Sequence, residues 1–120
     1  MNPRVLVAED SSPMRKIILR SLSSIGVQDT VEAADGEECL SLFASDDFDV
    51  ILADWNMPKK SGLDIVREIQ AAEKNVPVIV ISTEAEKSAV LEAFGESLPN
   101  YLIKPFTPNE LRDKLANCGY

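Results

Sequence analysis

Histidine is absent from this chain of 120 residues. That removes the commonest general base, every His-based nucleophile triad and the commonest metal ligand. Any chemistry must therefore run on carboxylates, hydroxyls or lysine. Cysteine is scarce: Cys39 and Cys118 lie far apart without ligand-type spacing, which gives neither a zinc site nor a redox pair. Both read as small buried apolar residues. Positive charge is in deficit, 12 Lys and Arg against 20 Asp and Glu for a net −8, so direct contact with nucleic acid or anionic lipid is disfavoured. No apolar run approaches the ~20 residues that span a bilayer, which excludes membrane insertion. The opening Met1-Asn2-Pro3-Arg4 carries no leader pattern, which predicts a cytoplasmic protein. No repeat or low-complexity linker divides the chain, so one domain over residues 1–120 is expected.

Four short apolar runs rich in β-branched residues punctuate the sequence: Val5 to Ala8, Val50 to Ala53, Val76 to Ile81 and Tyr101 to Ile103. Uninterrupted runs of this length suit strands buried on both faces. A weaker, alternating candidate runs from Thr30 to Ala34. Helical segments lie between them. Ser12 as N-cap with Pro13 at the first helical position starts one, with Ile17, Ile18, Leu22 and Ile25 as its apolar face. Gly36 opens the next after Asp35, with Leu40 and Phe43 facing inward and Asp46-Asp47 ending it. Leu63, Val66, Ile69 and Gln70 mark a third, and Val90, Ala93 and Phe94 a fourth. Thr107-Pro108-Asn109-Glu110 is a capping box ahead of Leu111, Leu115 and Cys118. Strand and helix alternate five times, which predicts an α/β fold: a five-stranded parallel sheet with helices on both faces.

In open sheets of this kind, chemistry collects at the carboxyl ends of the strands. The first strand runs into Glu9-Asp10, the third into Asp54, the fourth into Ser82-Thr83 and the fifth into Lys104-Pro105. Three carboxylates brought together repel unless a cation neutralises them. All-oxygen ligation by few protein groups suits Mg²⁺, with Mn²⁺ as its substitute, and Lys104 adds a point charge for a phosphoryl oxygen. Taken singly, an acidic pair is an ordinary helix-start feature, a serine or threonine is an ordinary cap, and a lysine is an ordinary solvated side chain. Their joint occurrence at four strand ends points to a site.

These motifs, Val5-Leu6-Val7-Ala8-Glu9-Asp10, Ala53-Asp54-Trp55-Asn56-Met57-Pro58 with Gly62, Ile79-Val80-Ile81-Ser82-Thr83-Glu84-Ala85 and Tyr101-Leu102-Ile103-Lys104-Pro105-Phe106, resemble the receiver domain of a two-component response regulator. The likeness covers essentially all of the chain and is to the CheY-like, single-domain chemotaxis type. It implies a flavodoxin-like three-layer sandwich with strand order 2-1-3-4-5. It further implies phosphorylation of Asp54 by a sensor histidine kinase, with Lys104 and Ser82 assisting. Mg²⁺ would be held by Glu9, Asp10, Asp54 and the backbone carbonyl of Asn56. Such a protein is a self-catalysing phosphoacceptor with autodephosphorylation, not an enzyme. Ser82 and Tyr101 form the implied switch, linking the site to an output partner at the face of the fourth helix, fifth strand and fifth helix. Asn56, Glu84 and Thr83 are implied to tune hydrolysis.

Two features depart from the family pattern. Thr83 stands where a small residue is usual, which predicts crowding of Asp54, and residues 94–100 replace the usual short turn before Tyr101. Glu86, Glu92 and Glu96 near that face read as solvated charge. Two rival classes share the architecture. A haloacid-dehalogenase-like phosphatase needs a second aspartate two places after its nucleophile, where this chain has Asn56. A flavodoxin-type module needs a phosphate-cradling loop, hinted at by Ser11-Ser12, but Glu9-Asp10 would repel the phosphate and no suitable glycine loop follows.

Overall fold

The computed structural model describes residues 2–95 and 100–120. Five strands, β1 (Val5–Ala8), β2 (Thr30–Ala33), β3 (Val50–Asp54), β4 (Val78–Thr83) and β5 (Asn100–Lys104), alternate with five helices, α1 (Ser12–Ser24), α2 (Gly36–Ser45), α3 (Gly62–Ala71), α4 (Lys87–Phe94) and α5 (Pro108–Asn117). A 3-10 turn, Glu84–Glu86, leads into α4. The part of the unusual segment at 96–99, including Glu96, lies outside the described residues.

Every strand pairing is parallel, in the order β2-β1-β3-β4-β5. β1 and β3 are buried throughout, as continuous apolar runs covered on both faces should be. β2, at an edge, buries only Ala33. The chain steps one way from β1 to β2 and the other way from β2 across to β3. Right-handed crossovers in opposite directions place their helices on opposite faces, and the core divides accordingly. Leu6, Ala8, Ile51, Ala53 and Val80 pack with Cys39 and Phe43 of α2 and Ile65 and Ile69 of α3. Val5, Val7, Leu52, Ile79 and Ile81 pack with Ile18 and Leu22 of α1 and Leu111 and Leu115 of α5. Neighbouring strand residues alternate between the two layers, as the period-two geometry requires.

Local details correct several expectations. The α1 cap is Ser11, not Ser12: its hydroxyl accepts the Met14 N–H at 3.3 Å. Pro13 falls one place later, where its missing N–H still costs no helical bond. Ile17 is 49% exposed, whereas its neighbour Ile18 is wholly buried, because adjacent helical residues point about 100° apart. In α3 the buried stripe is Ile65, Val66 and Ile69, and Gln70 is exposed. Leu40 is half-buried beside the buried Cys39 and Phe43. Cys118 is also only half-buried, at the α5 C-cap, where its Sγ accepts a hydrogen bond from Asn100 Nδ2 at 3.4 Å. β4 starts two residues after Val76, past Pro77, which has no N–H to give a ladder but whose carbonyl accepts from Ile51 at 3.0 Å.

Candidate functional site

Register places the site. Ala8 pairs with Ala53, so the next residues, Glu9 and Asp54, emerge side by side between β1 and β3, where the strand order reverses. Glu9 stays aligned because its N–H donates to the Ala33 carbonyl of β2 at 3.1 Å. Glu9 and Asp54 are 2% and 5% exposed, Asp10 is exposed, and carboxylate oxygens of all three lie within 4.8 Å of one another. Ser82 is wholly buried near the end of β4. Lys104 pairs in register with Thr83, yet its long side chain crosses β4 to reach the acids. Its Nζ sits 2.9 Å from Asp54 Oδ1 and 3.8 Å from Glu9 Oε1.

The charges do not balance. Burial, and then the Asp54 charge, push the Glu9 carboxyl up to about 7 against the opposing pull of Lys104. Burial alone would lower the Lys104 ammonium, but bonding and attraction to Asp54, joined by Glu9, hold it above the ordinary lysine value. Glu9 Oε2 and Ser82 Oγ are buried without a hydrogen-bond partner, and such groups are costly. A hard divalent cation suits this all-oxygen, anion-rich set. The unpartnered carboxylate oxygen and the lone lysine against three acids fit that ion.

A pH dependence follows with a definite sign. Glu9 is ordinary in the unfolded chain, at 4.5, and raised to about 7 when folded. Its contribution to stability is therefore full below 4.5 and is lost as pH rises through 7. In metal-free buffer, Glu9→Gln is expected to be more stable than the parent by about 1–3 kcal/mol at pH 8, with the advantage gone at pH 5. Urea melts at the two pH values measure it, and an equal difference at both would refute the assignment.

The remaining expected residues fall around this centre. Asn56 follows Asp54 by two positions in the β3–α3 loop, with its side chain exposed. Thr83 is a cap: its Oγ1 accepts the Glu86 N–H at 3.3 Å while Glu86 Oε1 accepts the Thr83 N–H at 2.8 Å. Glu86 is thus half of a capping box and not only a solvated charge. Glu84 is exposed in the same turn. Tyr101 is half-buried against the α2–α3 side of the core, and Lys114 of α5 lies 5.7 Å from its ring centre. Trp55, next to Asp54, meets Phe94 of α4 edge-on at 6.0 Å.

Sequence reading missed the supports of this site. Arg15 bonds to the Glu9 carbonyl at 2.7 Å. Gly36 touches the β3–α3 loop so closely that a Cβ there would lie 2.0 Å from the Lys60 carbonyl oxygen. Lys59, at φ 69°, reaches Asp35 and Glu37 at 3.4 and 3.7 Å. Neither the left-handed turn at Lys59 nor the arginine's reach has a counterpart in the local sequence pattern.

A strand-end aspartate, an acidic pair and a lysine at the switch point of a 2-1-3-4-5 sheet define a class of metal-assisted phosphoacceptor, and comparison with known proteins gives the family. The model of the response regulator receiver domain matches residues 5–116, and the chain belongs to that family. It is 44% identical over 115 residues to the chemotaxis protein CheY1 of Helicobacter pylori strain J99, covering 93% of each chain. It is 40% identical over 117 residues to the CheY homolog of Campylobacter jejuni, covering 95% of this chain and 90% of that one. Among solved structures, the receiver domain of the sensor histidine kinase PA1611 from Pseudomonas aeruginosa PAO1 superposes with a TM-score of 0.85 at 28% identity, over the whole of both chains, and holds a magnesium ion in its active-site cleft. No helix among the described residues is long and apolar enough to cross a membrane.

Proposed function

We propose that the chain takes a phosphoryl group onto Asp54 from a phosphohistidine of a sensor histidine kinase, and releases it by hydrolysis of the acyl phosphate. The observation that carries this reading is the buried Asp54 carboxylate, 2.9 Å from Lys104 and clustered with Glu9 and Asp10. A carboxylate oxygen of Asp54 attacks phosphorus, the P–N bond breaks, and the departing imidazole keeps the bond's electrons and takes a proton from water. No base is required, since a carboxylate nucleophile has no proton to give up, which accords with a chain without histidine. Catalysis is then orientation and charge stabilisation of the three equatorial oxygens. Glu9, Asp10, Asp54 and the Asn56 carbonyl would hold Mg²⁺ or Mn²⁺, which supplies charge neutralisation at one of them. Lys104 meets a second, and the free Ser82 hydroxyl donates to the third.

The protein is a self-catalysed phosphoacceptor, not a turnover enzyme. Ser82 turning toward the phosphoryl group vacates space in its layer, and Tyr101 on β5 follows, which alters the α4-β5-α5 face offered to an output partner. Asn56, Glu84 and Thr83 border the site from its loops and set how readily water reaches the acyl phosphate. Its similarity to chemotaxis proteins of two organisms supports a chemotaxis pathway.

Incubation with acetyl phosphate and Mg²⁺, followed by intact mass measurement, tests the reading. The parent is expected to gain one phosphoryl mass, and Asp54→Asn none. A parent that stays unmodified overturns it.

A further inference from the structure

We infer that Arg15 is a positioning residue for the metal-binding acids: it sets the peptide plane joining Glu9 to Asp10, and so aims the exposed Asp10 carboxylate. The inference rests on the proposed phosphoacceptor role of the site. Arg15 belongs to the first turns of α1, where its own N–H closes onto Ser11 at 2.8 Å. Helical side chains lean toward the N-terminus, and this one folds back over the β1–α1 loop. Nη1 donates to the Glu9 carbonyl at 2.7 Å, and Nε donates to Glu32 Oε1 on β2 at 2.9 Å. The side chain is only 17% exposed.

The Glu9 backbone is consequently held at both polar groups. Its N–H is fixed by Ala33 and its C=O by Arg15, itself anchored on Glu32. The Glu9 carbonyl and the Asp10 N–H share one rigid amide, so fixing the first orients the second and the Asp10 Cα beyond it. Glu9 and Asp54 are placed by the sheet and by burial, but Asp10 lies beyond the last ladder residue and has no such support. A planar fork with two separate acceptors suits this task, and a lysine with one ammonium does not.

Electrostatics and positioning predict opposite signs, which makes the idea testable. Removing a cation beside a metal site strengthens Mg²⁺ binding if charge alone matters. If Arg15 positions Asp10, removal weakens it. Mg²⁺ titrations at fixed ionic strength, read by Trp55 fluorescence and by the Mg²⁺-dependent rise in Tm, compare the parent with Arg15→Ala, Arg15→Lys and Glu32→Gln, with circular dichroism confirming the fold. Arg15→Ala is expected to raise the Mg²⁺ Kd about tenfold, in the range known for groups that orient metal ligands, Glu32→Gln about threefold, and Arg15→Lys to recover part of the loss. An Arg15→Ala protein that binds Mg²⁺ as tightly as the parent, or more tightly, overturns the inference. Should that variant fail to fold, Arg15→Lys decides: it keeps the positive charge and loses the two-acceptor fork, so an affinity equal to the parent's overturns the inference. A parent that shows no Mg²⁺ response by either readout refutes the phosphoacceptor reading itself, before any variant is compared.

Discussion

Lys104→Ala is expected to slow acyl-phosphate formation by about 10²–10³-fold at saturating Mg²⁺, the range found when one preorganised donor to a developing charge is removed. The lysine crosses β4 to lie 2.9 Å from Asp54, the proposed nucleophile, so it would stand beside phosphorus before the donor arrives. Without it one equatorial oxygen loses its partner, while Mg²⁺ should bind at least as well because a competing positive charge is gone. The rate and the metal affinity therefore move apart. Stopped-flow phosphorylation together with a Mg²⁺ titration checks both, and a rate within a few-fold of the parent at saturating Mg²⁺ would contradict the role. Metal-free stability is expected to fall as well, since Asp54 and Glu9 would stay buried with no counter-charge.

Gly36→Ala should be the most destabilising alanine substitution among the chain's five glycines, about 3 kcal/mol, at the upper end of ordinary overpacking costs. The new Cβ would sit 2.0 Å from the Lys60 carbonyl oxygen and 2.4 Å from the Lys60 Cβ. Neither is the free end of a flexible side chain, so α2 or the β3–α3 loop must move. That loop is tied by Lys59 to Asp35 and Glu37 and carries Asn56, so Mg²⁺ affinity should fall with stability. Gly26→Ala provides the contrast. Gly26 has φ +91°, and a Cβ there would meet nothing within 4 Å, which leaves only backbone strain of about 1 kcal/mol. Urea denaturation ranks the two, and equal midpoints would show that the close approach at Gly36 relaxes freely.

What could be read from the sequence was what is local or periodic. The apolar runs of β1 and β3 announce burial on both faces, Thr107 and Glu110 announce the start of α5, and Glu9, Asp10, Asp54, Ser82 and Lys104 all follow apolar runs. The errors share a physical cause. Ser11 and Ser12 are equally good caps, and only the backbone angle of the loop after Asp10 chooses between them. Ile17 and Ile18 are equally apolar, and only the way α1 lies on the sheet decides which of the two faces the core. Contacts between distant segments left no pattern at all. Arg15 on a helix and Glu32 on an edge strand each look like solvated charge, and Gly36 gives no sign of Lys60 pressing on it from another loop. Ser82 and Thr83 show the limit most clearly: neighbouring hydroxyls on one strand, one buried without a partner and the other a helix cap.

Cys39 turns the anchoring of α2 into a chemical clock. The thiol is wholly buried, and that burial pushes it up to about 12, so almost none of it is thiolate at neutral pH and no reagent can reach it in the folded protein. Modification must await an opening that lifts α2 from the sheet, and labelling under fast-reclosing conditions then reports the free energy of that opening. Cys118, half-exposed at the far end of α5, provides an internal reference. The interval between the two labelling events measures how firmly the helix beside the β3–α3 loop is held, with and without Mg²⁺, without a probe attached to the site.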